Sequence, residues 1–184
     1  MLNLPTRQAE NPVFTNVNNI PVIGFIGSSG SGKTTIIEKV IQYLVAEAVK
    51  VGVIKHDAHR FDIDKPGKDS WRFREAGSQT TIISSDTMIA LQRRINHPAS
   101  LDNLLAYFHE EELVIVEGHK SAPHPKIEVY RSKNGKPLQY QNFQGVIAIA
   151  APRHDHHQLL SSKLPLLDLD DCRAIVDFIY KYLR

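Results

Sequence analysis

The chain has 184 residues, enough for one α/β domain with room for an insertion. Hydrophobic residues make up 42% and charged residues 23% of it, which predicts a folded core and excludes a disordered chain. Its 22 basic and 20 acidic side chains leave a formal net charge of +2, which argues against nucleic-acid binding through bulk electrostatics.

Three features bear on the compartment of the protein. The single cysteine, Cys172, excludes an intrachain disulfide and is typical of a reducing compartment, so we predict a cytoplasmic location. No apolar run approaches the roughly 20 residues of a membrane helix. Residues 1–19 lack an apolar segment and a regular periodicity, which predicts a flexible N-terminal tail and not a secretory signal. Residues 20–184 are predicted to form a single domain.

The first predicted elements form a βαβ unit. The apolar run over residues 20–26 predicts a strand that is buried on both faces. Apolar residues at helical spacing predict a helix over residues 34–49, and residues 51–54 predict a second strand. The crossover of this βαβ unit is expected to be right-handed.

A glycine-rich stretch between the first strand and the helix matches the P-loop pattern G-x-x-x-x-G-K-[ST]. Its glycines allow backbone N–H groups to approach a triphosphate closely, and the start of the helix presents positive charge to the phosphates. Lys33 is expected to contact the β- and γ-phosphates, and the Thr34 hydroxyl is expected to bind Mg²⁺. The predicted nucleotide-binding residues are Gly27, Ser28, Ser29, Gly30, Ser31, Gly32, Lys33, Thr34 and Thr35.

The middle of the chain predicts an inserted hairpin. Residues 55–68 are polar and predict a long loop, a class of loop that usually carries function. A short helix is predicted over residues 69–76. Two strands, over residues 80–84 and 88–93, follow it and are joined by a polar turn.

In the second half of the chain, apolar strands again alternate with helical patterns. The predictions are a helix over 101–109, strands over 113–116, 127–130 and 146–150, a turn at Asn134-Gly135, a polar loop over 153–158 and a helix over 170–183. This alternation predicts an α/β fold of the P-loop NTPase-like kind, with a mainly parallel sheet, helices on both faces and an additional β-hairpin region.

A Walker-type site also needs an acidic residue near the end of another strand. Glu117 follows the strand predicted over residues 113–116 and is the first candidate for the Mg²⁺ site, with a solvated glutamate before Gly118 as the alternative. Asp57, which follows the second strand, is the next candidate for Mg²⁺ or one of its waters.

Two weaker patterns leave alternatives open. His154, His156 and His157 surround Asp155 and suggest Zn²⁺ or Ni²⁺ ligation, although the spacing matches no closed site and favours a solvated loop. The basic side chains over residues 65–74 suit either a groove for a second anionic ligand or an ordinary solvated face.

Five segments of the chain together match one family pattern. They are the P-loop G-x-x-G-S-G-K-T-T, residues 54–57 (IKHD), 62–70 (DIDKPGKDS), 75–77 (EAG) and 116–120 (VEGHK). In these segments the chain resembles the molybdopterin-guanine dinucleotide biosynthesis adapter proteins, the MobB family, from residue 20 to the C-terminal helix. His119 stands where the family pattern has an aromatic residue.

The resemblance implies GTP as the nucleotide, Mg²⁺, weak intrinsic hydrolysis and a homodimer. It implies the molybdenum cofactor guanylyltransferase, which attaches GMP to molybdopterin, as a partner, and it makes molybdopterin a further candidate ligand. It assigns nucleotide and magnesium roles to Lys33, Thr34 and Glu117. Residue spacing alone does not separate GTP from ATP, because no Asn-Lys-x-Asp motif follows the strand over residues 146–150.

Two other functions remain open on the sequence. A P-loop small-molecule kinase would hold its acceptor with the basic residues of 65–74 and use Asp57 as a base. A metallochaperone GTPase would use the histidines around Asp155.

Overall fold

The computed structural model describes residues 13–57 and 61–183. These residues divide into two compact units. The first unit contains residues 13–56 and 101–183, and the second contains Asp57 and residues 61–100.

In chain order the main elements are β1 Val22–Ile26, α1 Lys33–Ala46, β2 Val51–Lys55, α2 Asp69–Glu75, β3 Thr80–Ser84, β4 Ile89–Arg93, α3 Leu101–Leu105, β5 Leu113–Glu117, β6 Lys126–Val129, β7 Val146–Ala151, α4 His156–Leu159, β8 Leu166–Asp168 and α5 Cys172–Leu183. Among the described residues, no helix combines the length and the apolar character needed to cross a membrane.

The first unit is built on a six-stranded sheet in the order β2-β5-β1-β6-β7-β8, in which every neighbouring pair is parallel. The second unit contains a separate antiparallel pair, β3 and β4. The predicted α/β fold class with an additional hairpin is therefore confirmed.

Successive residues of β1 point to opposite faces of the sheet, as expected for a strand covered on both sides. Ile23 and Phe25 belong to the core cluster that contains the buried side chains of α1 and α5. Val22 belongs to a second cluster with Leu101 and Leu105 of α3. Helices therefore cover both faces of the sheet, and the carboxyl end of β1 leads directly into the glycine-rich loop.

Most element boundaries lie within about three residues of the sequence prediction, and three larger differences occur. Helix α3 ends at Leu105 instead of residue 109, because the next N–H groups make tighter bonds, such as that from Phe108 to the Leu105 carbonyl. The polar loop predicted over residues 153–158 contains a 3-10 turn and α4. Strand β8 has only 3 residues, too few for a pattern to indicate it.

The described part of the predicted N-terminal tail packs against the first unit. Residues 1–12 of this tail lie outside the described residues. Asn16 is buried, and its side-chain amide donates hydrogen bonds to the carbonyls of Leu105 at 3.1 Å and Phe108 at 3.0 Å. The packed part of the unit therefore begins before the boundary predicted at residue 20.

In the second unit, local contacts hold the loop that precedes α2. The Asp64 carboxylate accepts hydrogen bonds from the Ser70 hydroxyl at 3.0 Å and the Lys65 N–H at 2.9 Å. Arg74 forms an ion pair with Asp62 at 3.3 Å. Arg74, the more enclosed of the two arginines in residues 65–74, is therefore paired within its own unit.

Candidate nucleotide-binding site

The loop between β1 and α1 has a backbone that only glycine adopts easily. Gly27, Gly30 and Gly32 have φ angles of 145°, 80° and 97°. A Cβ atom on Gly27 would lie 2.3 Å from the Val129 carbonyl oxygen, so a side chain there would collide with the end of β6. The loop can therefore turn its backbone N–H groups inward, as a phosphate cradle requires.

The Lys33 ammonium lies over this loop. Its Nζ donates hydrogen bonds to the carbonyls of Ser28 at 2.9 Å and Gly27 at 3.3 Å. Burial lowers the pKa of Lys33, Glu117 opposes this shift, and the charges of Lys120 and Lys55 add to it. A bound phosphate would supply a full negative charge in place of the two carbonyl dipoles.

Two side chains that the sequence prediction missed support the loop from the segment after β6. The Asn134 amide donates to the Ser29 carbonyl at 2.8 Å and to the Ser28 hydroxyl at 3.1 Å. Arg131 donates from Nε to the Ser31 carbonyl at 3.2 Å. The Asn-Gly pair predicted the turn here, and it could not predict that the turn reaches the P-loop.

Glu117 ends β5 beside the end of β1. It lies in register with Phe25 on one side and with Lys55 of β2 on the other. Its carboxylate is 14% exposed and lies 3.8 Å from the Lys55 ammonium. The structure therefore brings Glu117 to the same sheet edge as the P-loop, where a cation balances its charge.

The remaining predicted ligands are placed as follows. Thr34 and Thr35 are exposed in the first turn of α1. Asp57 is exposed and belongs to the second unit, so its metal role remains a prediction. Within the described ranges, no three His, Cys, Asp or Glu side chains are grouped to hold a metal. Mg²⁺ usually takes only one or two carboxylates and completes its shell with water and phosphate, so Glu117 and Thr34 suit it chemically.

The histidine cluster has local structural contacts. Asp155 is buried and accepts hydrogen bonds from the Ser132 N–H at 2.9 Å and the Ser132 hydroxyl at 2.5 Å. Burial alone would raise its pKa, but these bonds and the neighbouring His154 and His157 hold the pKa below its usual value. His156 Nε2 lies 2.9 Å from the Ala151 carbonyl oxygen. The cluster thus anchors the loop after β7, and this gives no support to a metallochaperone.

A second histidine pair lies next to the carboxyl ends of β2 and β5. The rings of His56 and His119 are 4.5 Å apart between centroids. Burial, and then the charge of His56, lowers the pKa of His119. The ring contact and the hydrogen bond from the His56 N–H to the Glu117 carbonyl at 2.9 Å hold the turn after Glu117 against the end of β2.

Comparison with known proteins finds that the chain is similar to one family. The family model described as "Molybdopterin guanine dinucleotide synthesis protein B" (MobB) matches residues 22–152. The molybdopterin-guanine dinucleotide biosynthesis adapter protein of Haemophilus influenzae is 42% identical over 174 residues, which cover 94% of this chain and 94% of that protein. Its Escherichia coli counterpart is 35% identical over 170 residues, which cover 90% and 94%. Bacillus subtilis MobB superposes with a TM-score of 0.68 at 26% sequence identity, over 90% of this chain and 99% of that structure.

Proposed function

The chain belongs to the MobB family of molybdopterin-guanine dinucleotide biosynthesis adapter proteins, and on that premise we propose that it binds GTP and Mg²⁺ at the P-loop. We also propose that the protein assists a partner enzyme, the guanylyltransferase that attaches GMP to molybdopterin. One arrangement supports the proposal of nucleotide binding. The loop glycines have left-handed backbones, the Lys33 ammonium lies over them, and Glu117 ends the adjacent strand.

Each side chain has a definite task in this proposal. Lys33 exchanges its bonds with the Ser28 and Gly27 carbonyls for bonds with the β- and γ-phosphates. The Thr34 hydroxyl and the Glu117 carboxylate hold Mg²⁺ and its waters, and Lys55 releases Glu117 for this purpose. When bound, Mg²⁺ would neutralise part of the charge of the phosphates.

Hydrolysis is expected to be slow. In this proposal Glu117 is committed to the magnesium shell, and Lys33 is committed to the phosphates. Binding GTP is then the principal activity of the site, and the nucleotidyl chemistry belongs to the partner enzyme. The proposal includes a cytoplasmic location, since a lone free thiol such as Cys172 is typical of a reducing compartment.

The homodimer is proposed on the exposed face of the hairpin. Ile82 and Leu91 are directly opposite each other across β3 and β4, and Ile89 lies on the same face. Ile89 is 75% exposed and Ile82 is 61% exposed. A two-stranded ribbon with an uncovered apolar face is marginally stable in water, so a second copy of the same hairpin is the proposed cover.

Nucleotide binding is tested by calorimetry with GTP and ATP in the presence of Mg²⁺. We expect Lys33→Ala to weaken GTP binding about 10- to 100-fold, since hydrogen bonds to charged groups contribute about 1.5–3 kcal/mol. Lys39→Ala is the matched control, because Lys39 is exposed on the same helix. Unchanged GTP binding in folded Lys33→Ala, or equal affinity for ATP and GTP, would contradict the proposal.

The adapter role is tested with the purified guanylyltransferase and molybdopterin. Addition of the wild-type chain with GTP should raise the rate of molybdopterin guanine dinucleotide formation, and Lys33→Ala should raise it much less.

The dimer is tested by light scattering, in which Ile82→Asp should yield the monomer mass. A monomeric wild-type protein would remove the dimer from the proposal.

A further inference from the structure

Lys120 follows Glu117 closely, just beyond the carboxyl end of β5. The Gly118 N–H donates to the Phe25 carbonyl at 3.1 Å, which keeps the turn after Glu117 against the end of β1. Lys120 lies within the next turn, which the hydrogen bond from the Ala122 N–H to the His119 carbonyl at 3.0 Å closes. Its charge helps to lower the pKa of Lys33, after burial, so the two ammonium groups affect each other electrostatically. Lys120 therefore lies just beyond the carboxyl end of β5, at the sheet edge where Glu117 ends that strand.

The Lys120 ammonium is held by neutral groups. Its Nζ donates a hydrogen bond to the Gln139 side-chain oxygen at 2.7 Å. It also lies 5.8 Å from the centroid of the Phe143 ring, which is within range of a cation–π contact. Among the described residues it has no ion-pair partner, although its charge opposes the rise in the pKa of the buried Glu128. The side chain is therefore ordered while its charge remains available for an anion.

A buried carboxylate fixes the position of Gln139. Glu128 of β6 is 1% exposed and accepts a hydrogen bond from the Gln139 N–H at 2.8 Å. Burial raises the pKa of Glu128, while the N–H groups of Gln139 and Tyr140 and the charge of Lys120 oppose that shift. Burying a carboxylate is costly unless hydrogen bonds compensate for the lost hydration, and the N–H groups of this segment provide that compensation.

A buried lysine holds the far end of the same segment. Lys126, also on β6, is fully buried and donates to the carbonyls of Gln144 and Ala122, each at 2.6 Å. The two buried charges of β6 therefore hold the segment from Gln139 to Gln144 over the sheet. Because that segment supplies both groups that hold Lys120, its ammonium is preorganised before any ligand binds.

From this arrangement we propose that Lys120 binds the γ-phosphate and makes the site select a nucleoside triphosphate over a diphosphate. The inference rests on the proposed function. The loop amides enclose the inner phosphates, whereas the metal-binding acid at the end of the neighbouring strand marks the side of the terminal phosphate. Lys120 lies just beyond the end of that strand, within the turn that the Ala122 N–H closes. Gln139 is a positioning residue that acts through Lys120.

The test compares the affinities of a non-hydrolysable GTP analogue and of GDP by calorimetry. We expect Lys120→Gln to weaken binding of the GTP analogue about tenfold, the loss of one charge-assisted contact, and to change GDP binding less than about twofold. Lys136→Gln is the control, because Lys136 is exposed and its replacement removes the same charge. Equal losses for both nucleotides in Lys120→Gln, or no loss, would overturn the proposal.

Two further variants separate ligand binding from folding. Lys120→Arg keeps the charge and should retain a preference for the GTP analogue, so loss of the preference in a folded Lys120→Arg protein argues against a charge contact. Gln139→Leu should lower the preference about threefold alone and add nothing to Lys120→Gln. Additive effects in the double variant would show that Gln139 does not act through Lys120.

The failure of this inference differs from the failure of the proposed function. If the wild-type chain binds no nucleoside triphosphate, the proposed function fails, and this inference fails with it. If the wild-type chain binds GTP and Lys33→Ala does not, while Lys120→Gln keeps the wild-type ratio of the two affinities, only the role of Lys120 is wrong.

Discussion

His124 is the buried histidine whose replacement should alter acid stability. Its side chain is fully buried beside β1, where Gly24 leaves room for the ring: a Cβ on Gly24 would lie 2.4 Å from Nε2. Neither ring nitrogen has a hydrogen-bond partner among the described residues. Burial, and then the charges of Lys126 and His119, lowers the pKa of His124 from 6.5 to about 3. The folded protein therefore holds this imidazole neutral.

The sign and size of the effect follow from these two pKa values. Above pH 6.5 both the folded and the unfolded chain carry a neutral His124, so its titration contributes nothing there. As the pH falls from 6.5 towards 3, only the unfolded chain takes up the proton, and the folded state loses stability. Between pH 7.5 and pH 5.0 the loss is about 2 kcal/mol.

Urea denaturation at pH 7.5 and pH 5.0 measures this effect. His124→Leu removes the titrating ring, so the free energy of unfolding of the wild type should fall by about 2 kcal/mol more than that of the variant. All other titrating groups are common to both proteins. His97→Leu, which replaces an exposed histidine, should follow the wild type. An equal difference between the wild type and His124→Leu at both pH values would refute the reasoning.

Three other predictions concern stability. Burial lowers the pKa of Lys126 from 10.5 to about 8, so as the pH rises the folded chain loses this proton before the unfolded chain does. From pH 7 to pH 10 the free energy of unfolding of the wild type should therefore rise by about 2.5 kcal/mol relative to that of Lys126→Met. A flat difference in urea titrations would contradict this. Gly52→Ala should cost about 1–3 kcal/mol in thermal unfolding, because its Cβ would lie 2.4 Å from the Phe108 ring, and adding Phe108→Leu should recover part of the loss. Asn16→Ala should cost about 2–4 kcal/mol in the same assay, because it removes one buried hydrogen bond to Leu105 in α3 and one partly buried hydrogen bond to Phe108 in the turn after it.

The elements that were predicted well depend on local patterns. The continuous apolar run of β1, the glycines after it and the helical spacing of α1 occur within one short stretch, so the βα unit and the P-loop could be predicted together. Glu117 could be predicted as a candidate because it follows an apolar strand directly. In contrast, Asn134 and Arg131 support the P-loop across about 100 residues of chain, and no spacing rule relates the two segments.

Strand β6 shows what the pattern of apolar and charged residues cannot reveal. Lys126 and Glu128 suggest a strand with one solvated face, yet both are buried. Their partners are backbone groups of segments that only the folded chain brings over the sheet, at Ala122, Gln139 and Gln144. Whether a charged side chain is solvated or buried depends on such distant partners.

The sequence by itself determined the α/β class, the glycine-rich loop that matches the P-loop pattern, the acidic residue at the end of β5 and the resemblance to the MobB family, because each is written in contiguous residues. Only the tertiary structure decided which cations meet at that loop and how they are held. Lys33 and Glu117 are joined there by Lys55 and Lys120, which come from the ends of other strands and from a turn. Parallel strands bring their carboxyl ends to one edge of the sheet, and that convergence depends on strand order, which no local pattern encodes.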